Sequence, residues 1–192
     1  MKNRIVDKRA AIVRTAVRLF TAQGFYGTPT AQIAKEAGVS NGTLFRYFPT
    51  KEDLINNVYY EIKGNTGKYL SEGLDQETTI EDKARHMWRN IICWGVTNPD
   101  DFLFVEQFSN SPLITKLPEE ELMKNYAGTY EVFLQMIKMG TLKNVDPEVA
   151  MVVIFSTATG VVRSIINSKG TLDMEQTIEQ SFVLIWKGIT GK

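Results

Sequence analysis

The sequence is poor in the residues that carry most enzyme chemistry: one cysteine, Cys93, and one histidine, His86, occur in 192 residues. A lone cysteine cannot close an internal disulfide, which makes a reducing compartment, the cytoplasm, the expected setting. His86 and Cys93 stand seven positions apart and would share one face of a continuous helix. No third ligand accompanies them and zinc wants three or four, so no metal and no other cofactor is expected. Cys93 also has no thiol or basic cluster beside it in sequence to make it a redox switch. Paired carboxylates, a phosphate loop and a nucleophile motif are all missing, which leaves an enzyme little to work with, and none is expected. The longest charge-free apolar segment, between Glu148 and Arg163, holds fourteen residues, short of the ~20 that span a bilayer. The basic start runs into Asp7, Lys8 and Arg9 with no apolar stretch behind it and does not read as a signal peptide. A soluble protein with no membrane partner is expected. Alternating apolar and polar residues, fixed-period repeats and low-complexity segments are absent too, and what remains is helical periodicity, so the chain reads as all-α.

Net charge is also missing overall, but the charge is segregated. Residues 1–51 carry nine basic side chains (Lys2, Arg4, Lys8, Arg9, Arg14, Arg18, Lys35, Arg46, Lys51) against Asp7 and Glu36, a net +7, which leaves −7 for the rest. A basic end suits a polyanion, because each neutralised phosphate releases counterions; a chance cluster of solvated charge is the alternative. Ile12, Ala16, Leu19 and Phe20 repeat at helix spacing, and Gly24 is expected to cap that first helix. Thr28-Pro29 reads as the cap and first position of a second helix ending at Gly38. Ser40 then caps a short third helix, Asn41 to Phe48, closed by Pro49. Thr50-Lys51-Glu52-Asp53 resembles a capping box that opens a helix toward Leu70. A polar stretch, Ser71 to Thr79, precedes helices expected at about 80–97, 99–110, 118–139, 146–168 and 173–190.

The run Thr30 to Phe45 has the spacing of a helix-turn-helix. Ala34 is small where two helices would cross, Gly38 can take the positive φ of the turn, and Ile33, Val39 and Leu44 supply apolar contacts. At 100° per residue Leu44 and Phe48 face inward, whereas Gly42, Thr43 and Arg46 point outward, with Asn41 and Phe45 toward one flank. The alternative is a hairpin whose glycine and apolar spacing serve packing alone. Here the chain resembles the TetR (tetracycline-repressor-like) family through Gly24-Phe25, Thr28, Ile33-Ala34, Ala37-Gly38-Val39-Ser40, Gly42, Leu44-Phe45, Tyr47-Phe48 and Lys51-Glu52-Asp53-Leu54. The stretch Gly140 to Glu148 is similar to the loop before that family's penultimate helix. The resemblance implies an N-terminal three-helix helix-turn-helix DNA-binding domain, residues 1–50, and a C-terminal helical ligand-binding and dimerisation domain, residues 51–192. It also implies phosphate contacts from Thr28 or Thr30, Thr43, Tyr47 and Lys51, and base contacts from Asn41, Phe45 and Arg46, with Ser40 and Gly42 completing the DNA-binding set. Chemistry agrees: Arg46 suits guanine, Asn41 suits adenine, and hydroxyls and Lys51 suit phosphate oxygens. Where the family often has Tyr, Phe45 offers apolar contact only, such as to a thymine methyl.

One short recognition helix makes few contacts, so a homodimer on a near-palindromic operator is expected. The helix 149–168 is apolar on nearly all faces and the last helix carries Ile178, Phe182, Ile185 and Ile189. The resemblance implies that these two pair with their symmetry mates as a four-helix bundle, with Phe155, Thr159, Phe182 and Trp186 at the dimer interface; burial of both inside one chain's core is the alternative. Trp88, Trp94, Phe104, Phe108, Tyr126, Tyr130 and Phe133 are the candidates for binding an unidentified small apolar or aromatic effector, though cores and pockets share this composition. The expectation is a repressor released from operator DNA by that effector, the alternative a constitutive or partner-regulated DNA-binding protein.

Overall fold

The computed structural model describes residues 7–115, 119–139 and 145–190, and within them the fold is all-α. Asp7 caps α1 (Lys8–Gly27), its carboxylate accepting from the Ala10 amide at 3.2 Å. Ile12, Ala16, Leu19 and Phe20 are buried on one side of it, as their spacing requires. Gly24 does not cap this helix; it kinks it, at φ 75° and ψ 168°. The kink strands backbone carbonyls, and Thr28 answers them: its buried hydroxyl donates to Gly24 O at 2.8 Å and to Leu19 O at 3.2 Å. That hydroxyl is turned back into α1. The capping position of α2 (Thr30–Glu36) falls to Pro29, which contributes no side-chain bond. Gly38, at φ 69°, closes α2 with two bonds, Val39 N to Ala34 O at 2.9 Å and Gly38 N to Lys35 O at 3.2 Å, a terminus that needs a left-handed residue. Ser40 caps α3 (Asn41–Tyr47) by accepting from the Thr43 amide, and Thr50 does the same for Asp53 at the start of α4 (Lys51–Ser71).

Residues up to Gly64 together with Asp100–Glu119 form one compact unit, and Asn65–Pro99 with the residues from Glu120 onward form the other. A division at residue 50 is thus not where the contacts thin out. The cause is α6 (Pro99–Phe108), whose Phe104 and Phe108 rings lie 6.5 and 6.4 Å from the Phe20 ring and 4.8 Å from each other. Both are buried in the core of the first unit. The segment after α6 is fastened to α4 through buried Asn56, which donates to Leu113 O at 2.9 Å and accepts from the Thr115 amide at 3.0 Å.

In the second unit, α5 (Ile80–Thr97) packs against α8 (Ala127–Lys138), α9 (Pro147–Asn167) and α10 (Met174–Thr190), and α9 packs against α10. A 3-10 turn, Leu74–Gln76, leads into α5. The single helix expected over 118–139 is instead α7 (Glu119–Asn125) and α8, parted at Tyr126. The Tyr126 ring fills the space over Gly67, where an added Cβ would lie 2.8 Å from it, and the Asn125 carbonyl lies 3.5 Å from the Ser71 hydroxyl. The break coincides with this docking against α4. Helix α10 is fastened to α5 by Arg85–Glu179, Arg89–Glu175 and an indole bond from Trp88 to Ser181 at 3.0 Å. Residues 140–144 of the family-like loop, like Lys2 and Arg4, lie outside the described residues.

Two stability measurements test this packing. In denaturant unfolding, Phe104→Ala is expected to cost about 3–5 kcal/mol, as an emptied core site does; a cost under about 1 kcal/mol would mark Phe104 as the wall of an open site. Asn56→Ala strands the Leu113 carbonyl and the Thr115 amide and is expected to cost about 1–3 kcal/mol.

Candidate nucleic-acid interface

Helix α3 has only seven residues, too few to be stable by itself. It is held from beneath by Leu44 and from its end by Phe48, both buried. With those two inside, helix geometry turns Asn41, Gly42, Phe45, Arg46 and Tyr47 outward, and all five are exposed, with Thr43 half-buried beside the cap. Ser40 spends its hydroxyl on the Thr43 amide and lies 3.0 Å from the Thr43 hydroxyl. The Arg46 guanidinium lies over the Tyr47 ring, 5.7 Å from its centre, so the cation and the phenol that would meet DNA travel together. Thr30 is half-buried at the start of α2.

Two residues of the expected DNA-binding set are committed elsewhere. Thr28 is interior, as described. Lys51 donates to the Phe25 carbonyl and sits 4.3 Å from the Phe25 ring centre. Burial pushes its pKa down. It braces the kinked end of α1 against the start of α4, a role no spacing rule signals. Some of the N-terminal charge is likewise internal to the fold. Arg9 pairs with Glu61 and lies over the Phe48 ring, and Arg18 pairs with Glu36, whose carboxyl the Arg18 and Gln32 bonds hold below the usual carboxylate range. Among the described residues, Lys8, Arg14, Lys35 and Arg46 are exposed and supply the positive field. Tyr26, which the sequence reading did not single out, is 87% exposed just before α2; its only signal was an aromatic next to Gly27.

The effector candidates divide between the two units. Phe104 and Phe108 belong to the first unit's core. Trp88 is buried with its indole on Ser181, Trp94 is buried, Tyr126 and Phe133 are half-buried, and Tyr130 is exposed. A cleft of about 630 Å³ in the second unit is instead lined by polar groups, Asn65, Lys68, Tyr69, Ser71, Glu72, Lys124 and Asn125 among them, which a search for aromatics passes over. His86 and Cys93 do not converge on a site: the His86 Nδ1 is 2.9 Å from a Glu77 oxygen, while burial pushes the half-buried Cys93 thiol up against the opposing pull of Arg89. Of the interface candidates, Phe155 is 46% exposed and Thr159 half-buried. Phe182 is buried under the Arg85 guanidinium and stacked on half-buried Trp186 at 5.7 Å, so it serves the chain's own core. The exposed apolar surface is set by others: Val149, Val152 (66% exposed) and Val153 on α9, and Leu184 (75%) on α10. By length and composition alone α9 could cross a membrane; its Ala158, Val162 and Ile165 are buried.

Comparison with known proteins agrees with this geometry. Residues 12–58 match the family described as "Bacterial regulatory proteins, tetR family" and residues 80–190 match "Tetracyclin repressor-like, C-terminal domain". The fatty acid metabolism regulator protein of Bacillus subtilis (strain 168) is 24% identical over 191 residues, covering 96% of this chain and 97% of the relative. The crystal structure of a TetR family transcription regulator from Marinobacter aquaeolei VT8 superposes with a TM-score of 0.86 at 23% identity, over 98% of each chain. That of the transcriptional regulator FadR from Bacillus subtilis in complex with stearoyl-CoA does so with a TM-score of 0.70 at 21% identity, over 94% of this chain and 98% of that one. With both its helix-turn-helix and its C-terminal helical domain matched, the chain belongs to the tetR family of bacterial regulatory proteins.

Proposed function

We propose that this transcriptional regulator acts in the cytoplasm as a homodimeric repressor, released from its operator by an amphiphilic effector of the fatty acyl coenzyme A class. The observation that carries the DNA-binding half is the side-chain division on α3: Leu44 and Phe48 are buried while Asn41, Phe45, Arg46 and Tyr47 are exposed. Arg46 reads guanine with two bonds, Asn41 reads adenine, Phe45 touches a thymine methyl, and Thr30, Thr43 and Tyr47 hold phosphates. A symmetric pair of chains sets two such helices one turn of duplex apart, about 34 Å.

The apolar side of α9 and α10 supports the dimer. Val149, Val152, Val153, Phe155 and Leu184 are exposed together with Met151, and so many exposed large apolar side chains on two helices favour an interaction site there. The effector class is supported by the stearoyl-CoA complex of the structural neighbour and by the fatty acid regulator matched along nearly the whole chain. Helix α4 runs unbroken from Lys51 to Ser71, so a displacement of its C-terminal half is carried to the end that follows α3. A coupling of ~1–3 kcal/mol changes operator occupancy about five- to 150-fold.

Three outcomes are expected. In fluorescence anisotropy with operator duplex, Arg46→Ala weakens binding by about 1–3 kcal/mol and relaxes the preference at one base pair; equal weakening on every sequence would reassign Arg46 to a phosphate. Val152→Glu leaves the fold intact, sediments as a monomer and loses operator affinity; an unchanged sedimentation coefficient would remove α9 from the interface. Stearoyl-CoA added to the protein–operator complex lowers anisotropy to that of free duplex, whereas no release by acyl-CoA of any chain length would exclude this effector class.

A further inference from the structure

The C-terminal part of the chain is acidic overall, so the placement of its cations is informative. Arg85 and Arg89 are committed to Glu179 and Glu175. Lys68 on α4 and Lys124 on α7 line the same cleft, and among the described residues neither has an ion-pair partner. Lys68 and Lys124 outnumber the one carboxylate of the lining, Glu72, and a concavity with a net positive charge concentrates anions from solution.

The cleft is held in shape by close contacts. An added Cβ on Gly67 would lie 2.8 Å from the Tyr126 ring, and one on Gly128 would lie 3.0 Å from the Ser71 Cβ, so both glycines permit a close approach to α4. The Asn90 amide, from α5, donates to the carbonyls of Tyr69, Leu70 and Glu72 at 3.3, 3.4 and 3.0 Å. Asn90 thereby fastens the end of α4 to α5, and the wall that carries Lys68, Tyr69 and Glu72 is pinned.

We propose that this cleft binds the phosphate-bearing head of the coenzyme A thioester, an inference that rests on the effector class proposed above. The head carries a pyrophosphate, a ribose phosphate and an adenine, and the lining offers a group for each. Lys68 and Lys124 neutralise phosphate oxygens as mobile point charges. The Tyr69 ring stacks on the adenine. The Glu72 carboxylate accepts from the exocyclic amine, and the Asn65 and Asn125 amides bond ribose and phosphate oxygens. About 630 Å³ is within the span of small-molecule sites, roughly 300–1,000 Å³. An anion held by both lysines ties α4 to α7 and so bears on the helix that leads back to the DNA-binding unit.

Titration calorimetry on the full chain tests this with stearoyl-CoA and stearate as probes. The Lys68→Glu/Lys124→Glu double variant is expected to bind stearoyl-CoA at least about tenfold more weakly and stearate unchanged, with the salt dependence of stearoyl-CoA affinity lost. Lys68→Gln and Lys124→Gln singly give smaller losses of the same kind and answer the question should the double charge reversal lower the melting temperature. Unchanged stearoyl-CoA affinity in all of these variants would overturn the cleft assignment and leave the effector class standing. No binding of stearoyl-CoA by the unaltered protein would overturn both.

Discussion

Burial of Leu44 and Phe48 is the constraint from which the functional surface follows. A helix of seven residues has too little backbone hydrogen bonding to offset its own ordering, so α3 exists because these two side chains are taken out of water. Their burial fixes the rotation of the helix about its axis, and the rotation decides which residues face solvent. Ser40 and Gly38 fix the other coordinate, the direction in which α3 leaves α2: one caps the helix, the other supplies the positive φ of the turn. Position and rotation together present Asn41, Phe45, Arg46 and Tyr47 as a set.

The support beneath that set is aromatic and extends beyond the contiguous N-terminal sequence. Phe20 meets Phe25, Phe104 and Phe108, and Lys51 reaches over Phe25 to hold its carbonyl. A segment some eighty residues downstream therefore completes the core of the DNA-binding unit. Asn56 adds a polar fastening from α4 to the loop after α6. Helix α6 is thus part of the ground α3 stands upon.

Local rules made much of this legible. The 3.6-residue period of Ile12, Ala16, Leu19 and Phe20, the glycine at the turn and the caps at Ser40 and Thr50 are signals carried within a few residues, and the helices they predict are present. What was not legible depends on distant partners. Thr28 and Lys51 carry side chains fit for phosphate, but the kink at Gly24 exposes carbonyls that claim both. Phe104, Phe108 and Phe182 have the composition of a pocket or an interface, and only tertiary packing assigns them to a core. The break at Tyr126 answers to Gly67 on another helix. The polar cleft of Lys68 and Lys124 is assembled from two elements more than fifty residues apart and has no motif at all.

Paired recognition helices presented by a symmetric dimer are the centre of the proposed function. Selection of duplex DNA from a random pool by the purified protein tests it most directly. An enriched near-palindrome with half-sites one helical turn, or a whole number of turns, apart is the predicted result. Recovery of an asymmetric site, or no enrichment over the starting pool, would contradict it.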